Sequence, residues 1–284
     1  MNLRTFLAAL AVALVPAFAF AAGGPEIKYV GVTADRTDIA SLQRGARLFV
    51  NYCLNCHSAQ YMRYNRLTDL NLTEDQIRQN LMFTTDKIGD TMKVALNPKD
   101  AKEWFGAAPP DLSVIARSYT TEKLAAYLRG FYQDDARDTG WNNMVSPNIG
   151  MPHVLHQLSG VNKLVETVYM ADGKGVLTDH DAEAKAQAAF IALQSMSSFE
   201  HHTDKKDGKV ENKYIVRTIA NASPGSMTPV EYDIAVADIV NFMDFVAEPN
   251  KAKRIQIGII MLFLLAFLLA AAIWLKKEFW KDIH

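Results

Sequence analysis

The two cysteines of this 284-residue chain stand close together, in Cys53-Leu54-Asn55-Cys56, and His57 follows directly. Four chemistries use two thiols at this spacing: a zinc half-site, a redox dithiol, a disulfide clip and covalent attachment of haem. A structural zinc site needs four ligands, usually two pairs of Cys or His. Here there is no second cysteine pair, and His201-His202 lies in a polar stretch far along the chain. A redox dithiol precedes a helix within a β-α-β setting, whereas this pair follows a helical pattern. A disulfide clip leaves His57 without a role. Haem uses all three residues: the thiols form thioethers with the two vinyl groups, and the adjoining imidazole becomes the proximal ligand of the iron.

A sixth ligand is then needed, and methionine and histidine are the usual choices. Nine methionines lie between the two apolar ends, Met62, Met82, Met92, Met144, Met151, Met170, Met196, Met227 and Met243. Any of them serves equally well as a core filler. Met62 is close to His57 in sequence and poorly placed to reach the opposite face. Met243 falls on a helical stripe. Met151 sits in "SPNIGMPHVL", where Gly150 permits close approach of the backbone and Pro152 stiffens the chain. His153 and His156 compete in the same loop, and chemistry alone leaves these three open.

The elements that must hold these residues are mostly helical in pattern. Residues 38–52, "DIASLQRGARLFVNY", place Leu42, Ala46, Phe49 and Val50 on one side and deliver the cysteines at the C-terminal end. Residues 120–132 place Leu124, Tyr127, Leu128 and Phe131 on one face. A third helix is predicted from Pro229 to Val246, with Thr228 as N-cap, Pro229 at the first position and Glu231 closing a capping box. Its buried stripe is Tyr232, Val236, Ile239, Met243 and Val246. Residues 172–225 are charged and punctuated by Gly, with one predicted helix over 182–196 and a hairpin around Asp207-Gly208.

Both ends are apolar. Residues 1–21 combine Arg4, a short run of Leu, Ala, Val and Phe, and a small-x-small end at Ala19-Phe20-Ala21, the pattern of an export signal. Residues 255–275, "IQIGIIMLFLLAFLLAAAIWL", carry no charge and match the roughly 20 residues that span a bilayer core. Trp274 and Trp280 sit at one end, as interfacial aromatics do. Basic residues flank both sides of the span, so the export signal sets the orientation. The body of residues 22–250 is expected in the periplasm and residues 276–284 in the cytoplasm. With 30 basic and 31 acidic residues the net charge is −1, which gives no field for nucleic acid.

Four segments in order then carry a resemblance: "RGARLFVNYCLNCHSAQYMRYNRL", "GAAPPDLSVIAR", "NIGMPHVL" and "MTPVEYDIAVADIVNFMDFVAEP". Together they resemble the cytochrome c1 family, the membrane-anchored haem subunits of ubiquinol–cytochrome c oxidoreductase (cytochrome bc1), bacterial type. The resemblance covers most of residues 35–160 and 226–280. It implies a mainly α fold, a class I-like c-type cytochrome domain with long loop insertions and one C-terminal transmembrane helix. It implies one covalent haem c on Cys53 and Cys56, with His57 and Met151 as axial ligands, Pro110 packed near the haem and Arg117 within reach of a propionate. Tyr127 either lines the pocket or packs in the core. The implied partners are cytochrome b, the Rieske iron–sulfur protein as donor, a soluble or tethered cytochrome c as acceptor, and membrane lipid, in a dimeric complex. By the same resemblance the chain is a redox subunit in the bacterial inner membrane, and an electron carrier by itself.

Two features depart from the family pattern. No second cysteine pair exists to form the stabilising disulfide of some members. Residues 161–225 also exceed the short connection of mitochondrial members, and they are expected as a surface insertion. Asp134, Asp135 and Asp138 form an acidic cluster that either steers a basic partner or is a solvated face. A tethered monohaem cytochrome serving a terminal oxidase or nitric oxide reductase shares signal, haem motif and anchor. A stapled, non-redox binding domain is the rival of a different class.

Overall fold

The computed structural model describes residues 26–28, 35–171, 178–193, 196–206 and 209–281. The N-terminal apolar run read as an export signal lies outside them, as do the last three residues of the tail. About half of the described residues are helical and about a fifth are in strands. The chain divides into two compact units, Tyr29–Val165 with Ile219–His284, and Met1–Lys28 with Glu166–Thr218.

The larger unit is organised by two crossing helices. Helix α1, Ile39–Leu48, starts where the Asp38 carboxylate accepts a hydrogen bond from the Ser41 N–H at 2.9 Å. It runs into a wider π-helical turn, Phe49–Cys53, so the helical path ends on the first cysteine. Its buried face includes Leu42, Ala46, Phe49 and Val50, the stripe read from the sequence. Helix α8, Pro229–Ala247, begins with the Thr228–Glu231 capping box and Pro229 in its first turn. Gly45 of α1 lies against the backbone carbonyl of Asp238 on α8, where a Cβ would collide. That close approach lets Phe49 meet Phe242, with ring centroids 5.4 Å apart.

Polar groups fix the crossing. Asp238, almost fully buried, accepts from Ser41 Oγ at 2.6 Å and from two nitrogens of Arg44 at 2.7 and 2.9 Å. Asn241 Nδ2 donates to Ser41 Oγ at 2.8 Å, and Asn241 Oδ1 accepts the Asp35 N–H at 2.9 Å. Near the end of α8, Arg36 pairs with Asp244 and donates to the Glu248 carbonyl at 2.7 Å.

Shorter elements complete the body between these helices. Strand β2, Ala59–Arg63, pairs with β3, Thr91–Met92, around a 3-10 turn, Tyr64–Leu70, and helix α2, Glu74–Asn80. Helix α3, Pro98–Phe105, ends at Gly106 with φ +77°. A short α4, Ile115–Ser118, leads to α5, Thr121–Arg129, which is capped by Thr120 and packs on α8. Strands β4, Phe131–Gln133, and β5, Trp141–Asn143, form a hairpin, and α6, His156–Ser159, follows the Met151 loop.

The smaller unit has more strand than the mainly α reading expects. Strands β1, Glu26–Lys28, β6, Gly160–Met170, β7, Ser197–Lys206, and β8, Lys209–Pro224, form one sheet in the order β1-β7-β8-β6. The β7/β8 register runs from Ser197↔Thr218 to Lys206↔Lys209; the turn residues 207–208 lie outside the described residues. Helix α7, Asp179–Ala192, starts three residues before its expected position and buries Ala182, Ala186 and Phe190 against Tyr214 and Val216. Tyr214 and Val216 point to the buried face and Lys213 and Arg217 to the other, the alternation of a strand with one polar face, and the two strands flank the hairpin turn expected at Asp207-Gly208.

Helix α9, Lys251–Phe279, contains a candidate membrane span, Lys253–Phe279, with a mean hydropathy of 2.8 and none of that window buried. It follows α8 after only Glu248-Pro249-Asn250. Arg66 donates to the Asn250 side chain at 3.2 Å, and Arg254 pairs with Glu248 at 2.5 Å.

Candidate cofactor site

A cavity of about 270 Å³ opens beside the π-helical turn at the end of α1. This is near the lower end of the roughly 300–1,000 Å³ typical of small-molecule sites. Cys53, Cys56 and His57 line it together, because backbone bonds from Cys56 N and His57 N to the Cys53 carbonyl (3.1 and 2.9 Å) coil this segment tightly. A second wall is the loop Ala107-Ala108-Pro109-Pro110, and a third is Ile149, Gly150, Met151 and Pro152. Helix α8 adds Ile239 and Met243, and α5 adds Leu124, Tyr127 and Leu128. Tyr52, Tyr119, Tyr127 and Ser146 bring the few hydroxyls.

The imidazole of His57 is held from behind. Its Nδ1 lies 2.7 Å from the carbonyl of Pro110, which as an acceptor requires the proton on Nδ1 and leaves the Nε2 lone pair free. Metal-bound histidines characteristically donate their second ring N–H in this manner. Burial lowers the His57 pKa, opposed in part by the Pro110 bond and the Asp111 charge, so the ring is neutral near pH 7. Burial pushes the Cys53 thiol up to about 12, with a smaller contribution from Cys56, and burial also raises the Cys56 thiol. Neither bears a disulfide.

On the Met151 side, Gly150 approaches the Phe105 carbonyl so closely that a side chain there would collide. The Tyr127 hydroxyl donates to Met151 Sδ at 3.3 Å. Burial, with a smaller contribution from Tyr119, pushes the Tyr127 phenol up to about 12, so it remains a donor. The competing histidines are used elsewhere. His153 is buried, stacks on Phe131 at 5.0 Å and places Nε2 2.8 Å from Ser159 Oγ; His156 Nδ1 lies 2.9 Å from the His153 carbonyl. Neither lines the cavity. Burial and the neighbouring His156 lower the His153 pKa to about 4. Met62 is fully buried in the core.

The structure thus brings Cys53, Cys56, His57, Pro110 and Met151 to one cavity, together with Tyr127. It does not bring Arg117, which is exposed on α4 and absent from the lining. Of the acidic cluster, Asp134 accepts from Asn142 Nδ2 at 2.8 Å and from the Ala136 N–H at 3.0 Å, and so shapes the β4–β5 hairpin. The sequence reading missed two contributions: the Pro110 carbonyl as partner of His57, and Met243 as part of the wall. Met243 and Ile239 stand one turn apart on α8, and that i, i+4 spacing was the available signal. An apolar cavity offering two thiols, an imidazole nitrogen and a thioether fits a haem c, since the thiols can add to vinyl groups and imidazole and thioether are both ligands of haem iron.

The sequence matches the Cytochrome C1 family over residues 30–283. The chain belongs to the cytochrome c1 family. Cytochrome c1 of Allochromatium vinosum is 37% identical over 283 residues, covering 99% of this chain and 100% of its own length. A protein of Nitrosomonas europaea named ammonia monooxygenase gamma subunit is 39% identical over 275 residues, 97% of each chain. Cytochrome c1 of Rhodospirillum rubrum is 22% identical over 261 residues, 87% of this chain and 84% of its own. Membership in the cytochrome c1 family implies a haem c cofactor and a place as the membrane-bound electron-transfer subunit of a bc1-type complex, beside cytochrome b and the Rieske protein.

Proposed function

We propose that this chain accepts single electrons from a Rieske iron–sulfur protein and delivers them to a soluble or tethered cytochrome c, through one haem c attached to Cys53 and Cys56. When bound, the haem supplies a one-electron Fe(III)/Fe(II) couple. The chain's own residues bind, orient and tune it. His57 would hold the iron through Nε2, with its ring fixed by the Pro110 carbonyl. Met151 would hold it through its thioether, and a Met/His pair raises the potential of a c-type haem. The apolar walls from α5, α8 and the 107–110 loop exclude water, which disfavours the extra charge of the ferric state.

The observation that carries this reading is the convergence of Cys53, Cys56, His57 and Met151 on one cavity, while His153 and His156 are engaged outside it. In this reading residues 1–21 are an export signal, the body lies in the periplasm, α9 crosses the inner membrane once, and the complex is a dimer. The name of the Nitrosomonas europaea relative makes a monooxygenase the natural competing partner. Affinity purification from membranes in mild detergent tests the choice. Cytochrome b and a Rieske protein should co-purify with a chain that gives a c-type pyridine haemochrome spectrum. Recovery of monooxygenase subunits in their place would refute the assignment. Met151→Leu should remove the near-infrared thioether–iron band and lower the potential.

A further inference from the structure

Met151 stands on a loop, yet its sulfur is not left to the loop alone. We infer that Tyr127 is a positioning residue for the Met151 thioether: its hydroxyl occupies one sulfur lone pair, directs the other into the cavity and weakens that sulfur as an electron donor. The inference rests on the axial role proposed for Met151. Three observations support it. The hydroxyl donates to Met151 Sδ at 3.3 Å, within the reach of an O–H···S bond. The Tyr127 ring meets Phe131 edge-on at 5.3 Å, and its backbone is fixed where the carbonyl accepts from Asn143 Nδ2 at 2.8 Å. Both Tyr127 and Met151 line the same cavity, on different elements.

The chemistry follows from the sulfur. A thioether has two lone pairs, and an O–H bonded to one leaves a single pair for a metal, so the configuration at sulfur is selected before any metal binds. The O–H dipole also draws density from sulfur. A poorer donor stabilises Fe(III) less than Fe(II), so the hydroxyl holds the potential up. Asn143 is itself buried at the end of β5, its Oδ1 accepting from the N–H of Val145 and Ser146 at 2.8 and 3.2 Å. The same amide that holds the Tyr127 carbonyl therefore also fixes the start of the Met151 loop, so the two cavity-lining residues share one buried anchor.

The test uses the full-length, haem-loaded protein in detergent, with Tyr127→Phe beside Met151→Leu. Tyr127→Phe removes one oxygen and keeps the ring packing. It should retain the near-infrared band but lower the potential, shifting the electron-exchange equilibrium about fivefold to tenfold; tenfold corresponds to about 59 mV for one electron. Imidazole should also bind the ferric protein more tightly, because an unheld thioether is displaced more easily. If potential and imidazole affinity both stay at wild-type values while Met151→Leu abolishes the band, the role of Tyr127 is refuted and the axial role of Met151 stands. If Met151→Leu keeps the band, the axial reading itself fails, and this inference with it.

Discussion

At the scale of single residues, Asp238 shows how a buried charge can be tolerated. Its carboxylate faces Ser41, Arg44 and, through Ser41, Asn241. Removing it strands the buried Ser41 hydroxyl and leaves the half-exposed Arg44 guanidinium without its partner. Asp238→Ala should therefore cost about 2–3 kcal/mol, and Asp238→Asn, which keeps an acceptor for Ser41, about 1 kcal/mol. Thermal unfolding followed by circular dichroism checks the order; an Asn variant as unstable as Ala would show that charge, not hydrogen bonding, dominates. At this same scale the sequence was most informative where chemistry is local. Cys53, Cys56 and His57 announce themselves by spacing. The Pro110 carbonyl and the Tyr127 hydroxyl do not, because a backbone acceptor has no residue signature and a tyrosine on an amphipathic face looks like core.

At the scale of elements, the α1–α8 crossing places the cysteine segment. Gly45 has no room for a methyl group against the Asp238 carbonyl. Gly45→Ala must push α1 off α8, an overpacking cost of about 1–3 kcal/mol. It should also lower the yield of haem-loaded protein, measurable as the haem-to-protein ratio. An Ala variant with unchanged stability would mean that the two helices separate freely. These helices were legible because their stripes repeat at helical spacing and Thr228–Glu231 marks a start. Of the sheet in the smaller unit only the β7–β8 hairpin was legible, from the alternation after Asp207-Gly208; β1 and β6 were not, since their partners lie far away in sequence.

That sheet carries its own ion-pair row. Arg217 bridges Glu166 and Glu200 at 2.6 and 2.5 Å, and His202 lies 2.8 Å from Glu200. Burial raises the Glu200 carboxyl, but hydrogen bonds and charge from Arg217 and His202 together outweigh it, and the net pKa is below the ordinary 4.5. A depressed carboxylate contributes stability that is complete above pH 4.5 and disappears as pH falls through its folded value. Local opening of β7 and β8, read by amide hydrogen exchange, should speed up on acidification below that pH. Glu200→Gln should open faster than wild type near neutral pH and respond less to acid. A wild-type acid response retained in the variant would assign the effect to another group.

On the scale of the whole molecule, the apolar run of α9 sets where everything else can be. A span of 27 residues with none of its apolar window buried should keep the chain in the membrane pellet through high salt and alkaline carbonate, and detergent should release it. Release by carbonate alone would contradict a spanning helix. Length and hydropathy made this segment readable without any structure, because a bilayer accepts few alternatives.

Helix α8 has one more consequence. Its residues Ile239 and Met243 are cavity wall, its last turn is gripped by Arg36, and α9 starts after three intervening residues. The wall of the pocket and the anchor are thus consecutive helices with only Glu248-Pro249-Asn250 between them. A joint of three residues leaves little slack to absorb a tilt of the anchor before it reaches Ile239 and Met243.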